Sequence, residues 1–178
     1  MHPLKRLVLG VLLMAILLVV VAFALPQQIT VARSKIINAP ESDVFPYVNS
    51  LKRFNEWSPW AMRDPETKYV YSGPEEGKGA QMEWSSDHPD VGKGLLEIIE
   101  SETNSFVRVA LDIGVKGKAN VSYQLKPSGA GTRVVWVFET DVGNNPVRRW
   151  MGLTLDRWVG QDYEEGLERL KKIAEARR

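Results

Sequence analysis

The stretch Phe54-Asn55-Glu56-Trp57-Ser58-Pro59-Trp60 places two of the six tryptophans of the chain around a Ser-Pro pair. Pro59 fixes its own φ and favours an extended Ser58, so a helix that arrives from the N-terminal side should end near Trp57. We therefore expect a turn that presents two indoles. Such a turn either closes a hydrophobic core or lines the mouth of an apolar cavity, and the stretch alone leaves both alternatives open.

Composition limits the classes of protein to consider. The 178 residues are 44% hydrophobic and 25% charged, which fits one globular domain with a short appendage. Basic and acidic side chains number 23 and 22, and no basic block longer than two residues occurs outside the termini, so we predict no nucleic-acid binding. The absence of cysteine excludes disulfides, thiolate metal ligands and cysteine nucleophiles.

Residues 7 to 25 form an uncharged, strongly apolar run that ends at Pro26. As a helix, these 19 residues would extend roughly 28 Å, which is about the thickness of a bilayer hydrocarbon core. The run also exceeds the apolar length of roughly 7 to 15 residues that is typical of a signal peptide. We therefore predict an N-terminal transmembrane anchor over residues 1–26 and a separate domain over residues 27–178.

The residues that flank this run leave a cleaved signal peptide open as an alternative, and they predict the orientation of the chain in the membrane. Ala22-Phe23-Ala24 has the small residues of a cleavage site, so a cleaved signal peptide is the alternative. Lys5 and Arg6 precede the run, which by the positive-inside rule keeps the amino terminus in the cytoplasm. We expect a single-pass protein of the cell membrane whose C-terminal domain is extracytoplasmic.

The order of strand-like and helix-like segments in the rest of the chain predicts an α+β domain. The β-branched stretch from Gln28 to Asn38 indicates a strand, and Pro40, followed by acidic residues, indicates the start of a short helix. Gly and Pro then separate six short alternating segments, as expected of antiparallel strands joined in a meander. These segments are residues 68–72, 79–85, 92–100, 105–113, 118–126 and 132–141.

The last 30 residues have helical periodicity with two apolar stripes. The first stripe is Val147, Met151, Leu155, Trp158 and Val159, and the second is Tyr163, Leu167, Leu170 and Ala174. The stripes are offset by roughly 100°, so a straight helix would expose one of them. We therefore predict a kink or break at Gly160, with Asp162 and Glu165 forming a capping box that restarts the helix.

Several short motifs are spread over the part of the chain that follows the apolar run. They are Ile36-Ile37-Asn38-Ala39-Pro40, Val44-Phe45, Val48-Asn49, the stretch 54–60, Ser72-Gly73-Pro74, Gly77-Lys78-Gly79-Ala80 before Trp84, Gly131-Thr132-Arg133-Val134 before Trp136, Met151-Gly152, and residues 160–167. These motifs resemble those of START-like, or SRPBCC, proteins of the polyketide cyclase/dehydrase and lipid-transport group, and bacterial members in particular. The likeness covers about residues 28 to 175.

The resemblance implies a helix-grip fold, in which a curved antiparallel sheet of about seven strands wraps around a long C-terminal helix. It also implies an apolar cavity between sheet and helix, and several members carry an N-terminal membrane segment. We expect membrane-tethered binding of a small hydrophobic molecule or lipid, without chemistry and without a cofactor. A cyclase or dehydratase that uses a cavity carboxylate, and an interaction or stress-response module with a filled cavity, are the alternatives.

The candidate ligand-binding residues are the apolar side chains expected to line the cavity or the core. They are Trp57, Trp60, Met82, Trp84, Val109, Leu111, Tyr123, Met151, Leu155 and Trp158. No nucleophile-elbow or phosphate-loop motif occurs, so we assign no catalytic residue. His88 lies in a polar turn without further His or Cys to complete a coordination shell, so we assign no metal ligand either.

Overall fold

A computed structural model of the protein describes residues 3–176, and its strands lie within two residues of the predicted boundaries. In chain order, the elements are α1 (Pro3–Ala24), β1 (Gln28–Ile37), α2 (Glu41–Asn49), α3 (Leu51–Phe54), α4 (Pro59–Arg63), β2 (Lys68–Ser72), β3 (Gln81–Ser85), β4 (Lys93–Glu102), β5 (Phe106–Asp112), a 3₁₀ turn (Gly114–Lys116), β6 (Lys118–Ser128), β7 (Gly131–Asp141) and α5 (Pro146–Glu175).

The seven strands form one curved antiparallel sheet in the order β1-β7-β6-β5-β4-β3-β2. The predicted α+β helix-grip fold is thereby confirmed, with α5 on the concave face of the sheet. One end of the sheet is adjacent to α1, because β1 begins at Gln28, a few residues after α1 ends at Ala24. At this end Gln28 pairs with Asp141, the last residue of β7. We call this the α1 end of the sheet and the opposite one the far end.

A stack of two aromatic rings attaches α5 to the sheet. The ring centroids of Trp136 on β7 and Tyr163 on α5 are 3.7 Å apart, with an angle of 10° between the planes. One helical turn further on, Gly166 lies directly over the same indole, because a Cβ atom there would be 2.7 Å from Cζ3 of Trp136. Glycine at this position therefore permits the close approach of helix and sheet.

Helix α5 is continuous through Gly160, so the predicted break and the predicted capping box are both wrong. The glycine makes room for a neighbour, since a Cβ atom there would be 2.1 Å from Nη2 of Arg33 on β1. The Arg33 guanidinium bonds to Asp156 at 3.0 Å and to Glu164 at 2.7 Å, which ties α5 to the edge strand. Asp162 pairs with Arg63 of α4 and does not cap a helix.

The turn around Ser58 forms as expected, and Pro59 then opens α4 at its first position. A proline is favoured there because its missing N–H would have no partner inside the helix. Ser58 has the extended backbone that a following proline requires, with φ of −59° and ψ of 126°. The stretch thus connects two short helices and does not remain irregular throughout.

Helix α1 is 22 residues long and apolar enough to cross a membrane, a property that a signal sequence shares. It is joined to the domain by Arg149 of α5, whose side chain is buried. The guanidinium donates to the backbone carbonyls of Phe23 at 2.9 Å, Leu25 at 3.1 Å and Ala22 at 3.3 Å. These carbonyls lie at the C-terminal end of α1, where the last backbone carbonyls lack i+4 partners, so Arg149 caps α1. The Ala22 carbonyl also accepts from the backbone N–H of Leu25 at 3.1 Å.

Replacing Gly166 with alanine should destabilise the domain by about 1–2 kcal/mol. The new methyl would overlap the Trp136 indole, which costs about 1–3 kcal/mol, and the higher helix propensity of alanine offsets up to about 1 kcal/mol. Chemical unfolding of the full chain in detergent micelles measures the change. Gln161→Ala, on the exposed face of the same helix, is the control and should stay within about 0.5 kcal/mol of the parent. Equal stability of the two variants would contradict the close packing at Gly166.

Candidate functional site: the apolar concave face of the sheet

An aromatic cluster fills the space between the middle of the sheet and the C-terminal half of α5. The Trp57 indole lies 5.0 Å from Trp136 and 5.0 Å from Phe54, both in edge-to-face geometry. Tyr123 lies 5.4 Å from Trp136, and Tyr163 stacks on its other side. Because these rings contact one another directly, this part of the concave face is packed core.

Trp57 is a core residue, with 0% of its surface exposed. Its Nε1 donates to the backbone carbonyl of Tyr47 at 3.1 Å, which satisfies the only polar atom of the indole. Trp60 is half-buried and lies at the boundary of the cluster, 6.1 Å from Trp136 and 6.4 Å from Tyr163. Trp57 therefore closes the core, the first of the two alternatives for this turn, and Trp60 lies partly exposed at the boundary of the cluster.

The concave face is less completely covered toward the α1 end. Residues paired directly across neighbouring strands point to the same side of the sheet, and they form two apolar rows there. One row is Met82, Leu96, Leu111 and Ala119, and the other contains Tyr69, Trp84 and Gly94. Phe138 on β7 continues the surface toward α5. We define the apolar floor as the half-buried members of this surface: Tyr69, Trp84, Leu96, Leu111 and Phe138.

Small residues keep the floor shallow. Gly94 lies beneath the Trp84 indole, and a Cβ atom there would be 2.3 Å from Cη2 of that ring. The indole therefore lies flat on β4, held by a hydrogen bond from Nε1 to the carbonyl of Val91 at 3.2 Å. Trp60 of α4 and Val159 of α5 are partly buried and pack against the same core as the floor residues.

The structure distributes the ten predicted ligand-binding residues over three environments. Four are buried in the core: Trp57, Met82, Val109 and Tyr123. Four are half-buried on or near the floor: Trp60, Trp84, Leu111 and Leu155. Met151 and Trp158 lie on the outer side of α5, with 63% and 69% of their surface exposed, and do not line the interior. They face outward because the unbroken helix cannot turn both apolar stripes toward the sheet.

Three floor residues, Tyr69, Leu96 and Phe138, were absent from the predicted set. Leu96 lies directly opposite the selected Leu111, and Tyr69 lies opposite the selected Trp84. Cross-strand pairing could have found these two once the strand order was assumed, whereas Phe138 pairs with Val121, which was not selected. Trp136, the centre of the aromatic cluster, appeared only as part of a family motif.

The strand carboxylates lie on the opposite side of the sheet from the floor. Glu83 and Glu97 each occupy a position one residue away from a floor-side residue, and the same holds for Glu139 next to Phe138. Side chains alternate between the two faces along a strand. These three carboxylates therefore point to the convex face.

A separate polar depression of about 500 Å³ lies beside the floor and involves Asp64, Ser86 and His88. The Ser86 hydroxyl donates to the Asp64 carboxylate, and this hydrogen bond lowers the pKa of Asp64 below its ordinary value. His88 Nδ1 accepts from the backbone N–H of Asp90 at 3.2 Å. Within residues 3–176, no group of three or more His, Cys, Asp or Glu side chains is placed to hold a metal ion.

The family model for polyketide cyclase/dehydrase and lipid-transport proteins matches residues 28–175. The chain therefore belongs to this family, as its motifs indicated. The match covers the whole sheet and all of α5, and it excludes α1. Among curated proteins, none is similar enough in sequence to match.

Solved structures share the fold at low sequence identity. A protein of unknown function from Staphylococcus aureus has a TM-score of 0.64 at 8% identity, over 84% of this chain and 94% of that one. A Mycobacterium smegmatis protein has a TM-score of 0.57 at 15% identity, over 84% and 93%. A Chromobacterium violaceum protein has a TM-score of 0.55 at 14% identity, over 82% and 96%. At these identities the likeness shows the fold alone.

Replacing Trp57 with alanine should destabilise the protein by about 3–5 kcal/mol, because the substitution removes a fully buried indole from a packed cluster. Met62→Ala on α4 is the control. Its side chain is exposed, so the free energy of unfolding should change by no more than about 0.5 kcal/mol. Denaturant titration of the full chain in micelles measures both. A loss of less than about 1 kcal/mol for Trp57→Ala would mean that the cluster is not tightly packed.

The buried tyrosines predict a loss of stability in alkali. Burial raises the pKa of Tyr123 and of Tyr163 well above the ordinary value, because the phenolate would lose its hydration. In the unfolded chain each phenol titrates near about pH 10. The stabilisation is therefore complete below about pH 10 and declines above it, by up to about 1.4 kcal/mol per pH unit for each tyrosine.

Unfolding free energies of the parent and of Tyr163→Phe, measured between about pH 8 and pH 11, test this expectation, since the phenylalanine variant lacks one titrating group. Its stability should fall less steeply with rising pH. Tyr71→Phe, which removes an exposed phenol, should change the slope less. Parallel curves for the parent and Tyr163→Phe would show that Tyr163 ionises without a folding penalty.

Proposed function

We propose that the domain binds a small hydrophobic molecule or lipid on the apolar floor, without chemistry, while α1 tethers it to a membrane. The observation that carries the proposal is the half-exposed apolar surface at the α1 end of the sheet. Tyr69, Trp84, Leu96, Leu111 and Phe138 form a contiguous surface whose side chains lie on one face of paired strands. Contiguous apolar surface in a concave setting is typical of a ligand site.

The tether and the floor lie at the same end of the domain. Gln27 accepts a backbone hydrogen bond from Val142 at 2.9 Å, three residues after α1 ends, and the paired ends of β1 and β7 follow at once. As a straight helix, the 22 residues of α1 extend roughly 33 Å, enough to cross a bilayer. An apolar ligand that leaves the bilayer would therefore meet the floor before any other part of the concave face.

The predicted orientation belongs to the same proposal. Lys5 and Arg6 precede the apolar part of α1, which supports a cytoplasmic amino terminus and an extracytoplasmic domain. The ligand would then be drawn from the outer face of the cell membrane.

The aromatic cluster supports a filled interior for one half of the concave face only. A module with a wholly filled cavity would also bury Leu96, Leu111 and Trp84, which are half-exposed. The enzyme alternative requires a carboxylate or histidine on the floor. Glu83, Glu97 and Glu139 face the other way, so no observation on the strands favours it.

A single substitution on β5 tests the proposal. Leu111→Gln places an amide on the floor and should reduce the uptake of apolar molecules by at least about tenfold, since a buried amide without a partner costs at least about 1.4 kcal/mol. Ala110→Gln is the matched control, because the neighbouring residue faces the convex side. Delipidated full-length protein is equilibrated with a membrane extract, re-isolated and analysed by mass spectrometry for bound apolar molecules.

The parent and Ala110→Gln should return with the same bound molecule, and Leu111→Gln should return without it. Recovery of no apolar molecule from the parent would contradict the proposal. Equal recovery from both variants would place the binding surface somewhere other than the floor.

A further inference from the structure

We infer that the first four turns of α5, together with the tip of the β5–β6 connection, insert into the membrane leaflet beside α1. This inference rests on the proposed membrane tether and adds a second contact surface to it. We call this the insertion surface, defined by its exposed apolar residues. They are Val115, Val147, Trp150, Met151, Leu153 and Trp158.

The exposed stripe of α5 is mainly apolar in its first turns and polar further along the helix. Val147, Met151, Thr154 and Trp158 follow one another at helical spacing on the side opposite the sheet. Gln161 and Glu165 continue the same stripe one and two turns later. An exposed apolar stripe of this length is uncommon on a surface that faces water, whereas its polar continuation is ordinary. The change from apolar to polar residues near residue 160 thus marks a boundary between a part of α5 that contacts lipid and a part that contacts water.

Contacts with α1 place the apolar part of the stripe at membrane depth. The Trp150 indole donates from Nε1 to the backbone carbonyl of Leu18 at 3.1 Å. Leu18 lies six residues before the end of α1 at Ala24, which corresponds to roughly 9 Å along the helix axis. Interfacial helices bury their apolar face by about 5–10 Å, and tryptophan is enriched at that depth. Trp150 therefore lies at interfacial depth if α1 spans the bilayer.

The tip of the β5–β6 connection supplies an independent part of the surface. Val115 lies at this tip with 93% of its surface exposed, the largest fraction among the large hydrophobic residues that the structure describes. Its carbonyl accepts a hydrogen bond from Nη2 of Arg148 at 3.2 Å, which holds the tip against the start of α5. A lone exposed valine on a loop has no role in the core of the domain.

The charges around this surface fit a lipid headgroup region. Arg148 and Arg157 flank the apolar residues and are exposed to solvent. Long arginine side chains can keep their stems in apolar surroundings and extend their guanidinium groups to phosphate. Acidic residues enter the stripe only with Glu165, beyond the boundary. Membrane lipid is therefore the occupant that this surface fits best.

Spin labels at single cysteines test the inference, because the natural chain has no cysteine. Met151→Cys and Val115→Cys report on the insertion surface, and Glu165→Cys is the matched control on the same stripe. Leu12→Cys reports separately on whether α1 lies in the bilayer. The labelled full-length proteins are reconstituted into vesicles of phosphatidylethanolamine and phosphatidylglycerol, and collisions with oxygen and with a water-soluble nickel chelate are compared.

We expect labels at Met151, Val115 and Leu12 to be accessible to oxygen and protected from the nickel chelate, and the label at Glu165 to show the reverse. Lipid exposure at Leu12 with chelate exposure at Met151 and Val115 would overturn the inference and leave the tether intact. Chelate exposure at Leu12 would overturn the tether and this inference together. Protection of the labels at Met151 and Val115 from both reagents would indicate a contact with protein, and this result would also overturn the inference. Ligand uptake on the floor is measured in the other experiment and does not depend on these outcomes.

Discussion

The stack of Tyr163 on Trp136, with Gly166 over the same indole, is the contact on which the arrangement of the molecule depends. It fixes both the position and the distance of α5 on the sheet. Since α5 is a single helix of 30 residues, fixing its C-terminal half also determines where its first turns lie. Those turns extend along β1 to the end of α1, so one aromatic contact sets the relation between the sheet and the N-terminal helix.

The same contact divides the concave face into a filled and an open part. Trp136, Tyr123 and Trp57 are large rings that meet across the middle of the sheet, and little space remains between them. Toward the α1 end, the inward positions include Gly94 and Ala119, which are too small to fill the same width. At this end α5 packs against the edge strand β1, where Gly152 lies against the side chain of Ile29. A shallow apolar floor follows from this difference in side-chain size.

The fold was largely predictable from sequence, whereas the detail of the site was not. Strand alternation and the signals around Pro40 and Ser58 are local, and they located the sheet, the start of α2 and the turn, but not α4, which Pro59 opens. Gly160 was misinterpreted, because its role depends on Arg33, a residue 127 positions away that no local pattern connects to it. Met151 and Trp158 were placed inside because an apolar stripe at helical spacing indicates burial, whereas the unbroken helix turns only one of its two stripes toward the sheet. Burial against lipid and burial against protein have the same periodicity.

The capping of α1 by Arg149 bears on whether α1 is retained. The guanidinium is bonded to five acceptors, and two of them are the carbonyls of Ala22 and Phe23. Cleavage after Ala24 would remove both and would leave a buried charge with fewer partners, which is costly. It would also remove the Leu18 carbonyl that accepts from Trp150. A signal peptide has no need of such contacts with the mature domain, whereas a permanent anchor gains a fixed orientation from them. The contacts therefore favour retention of α1, and a retained α1 that spans a bilayer would hold the floor close to it.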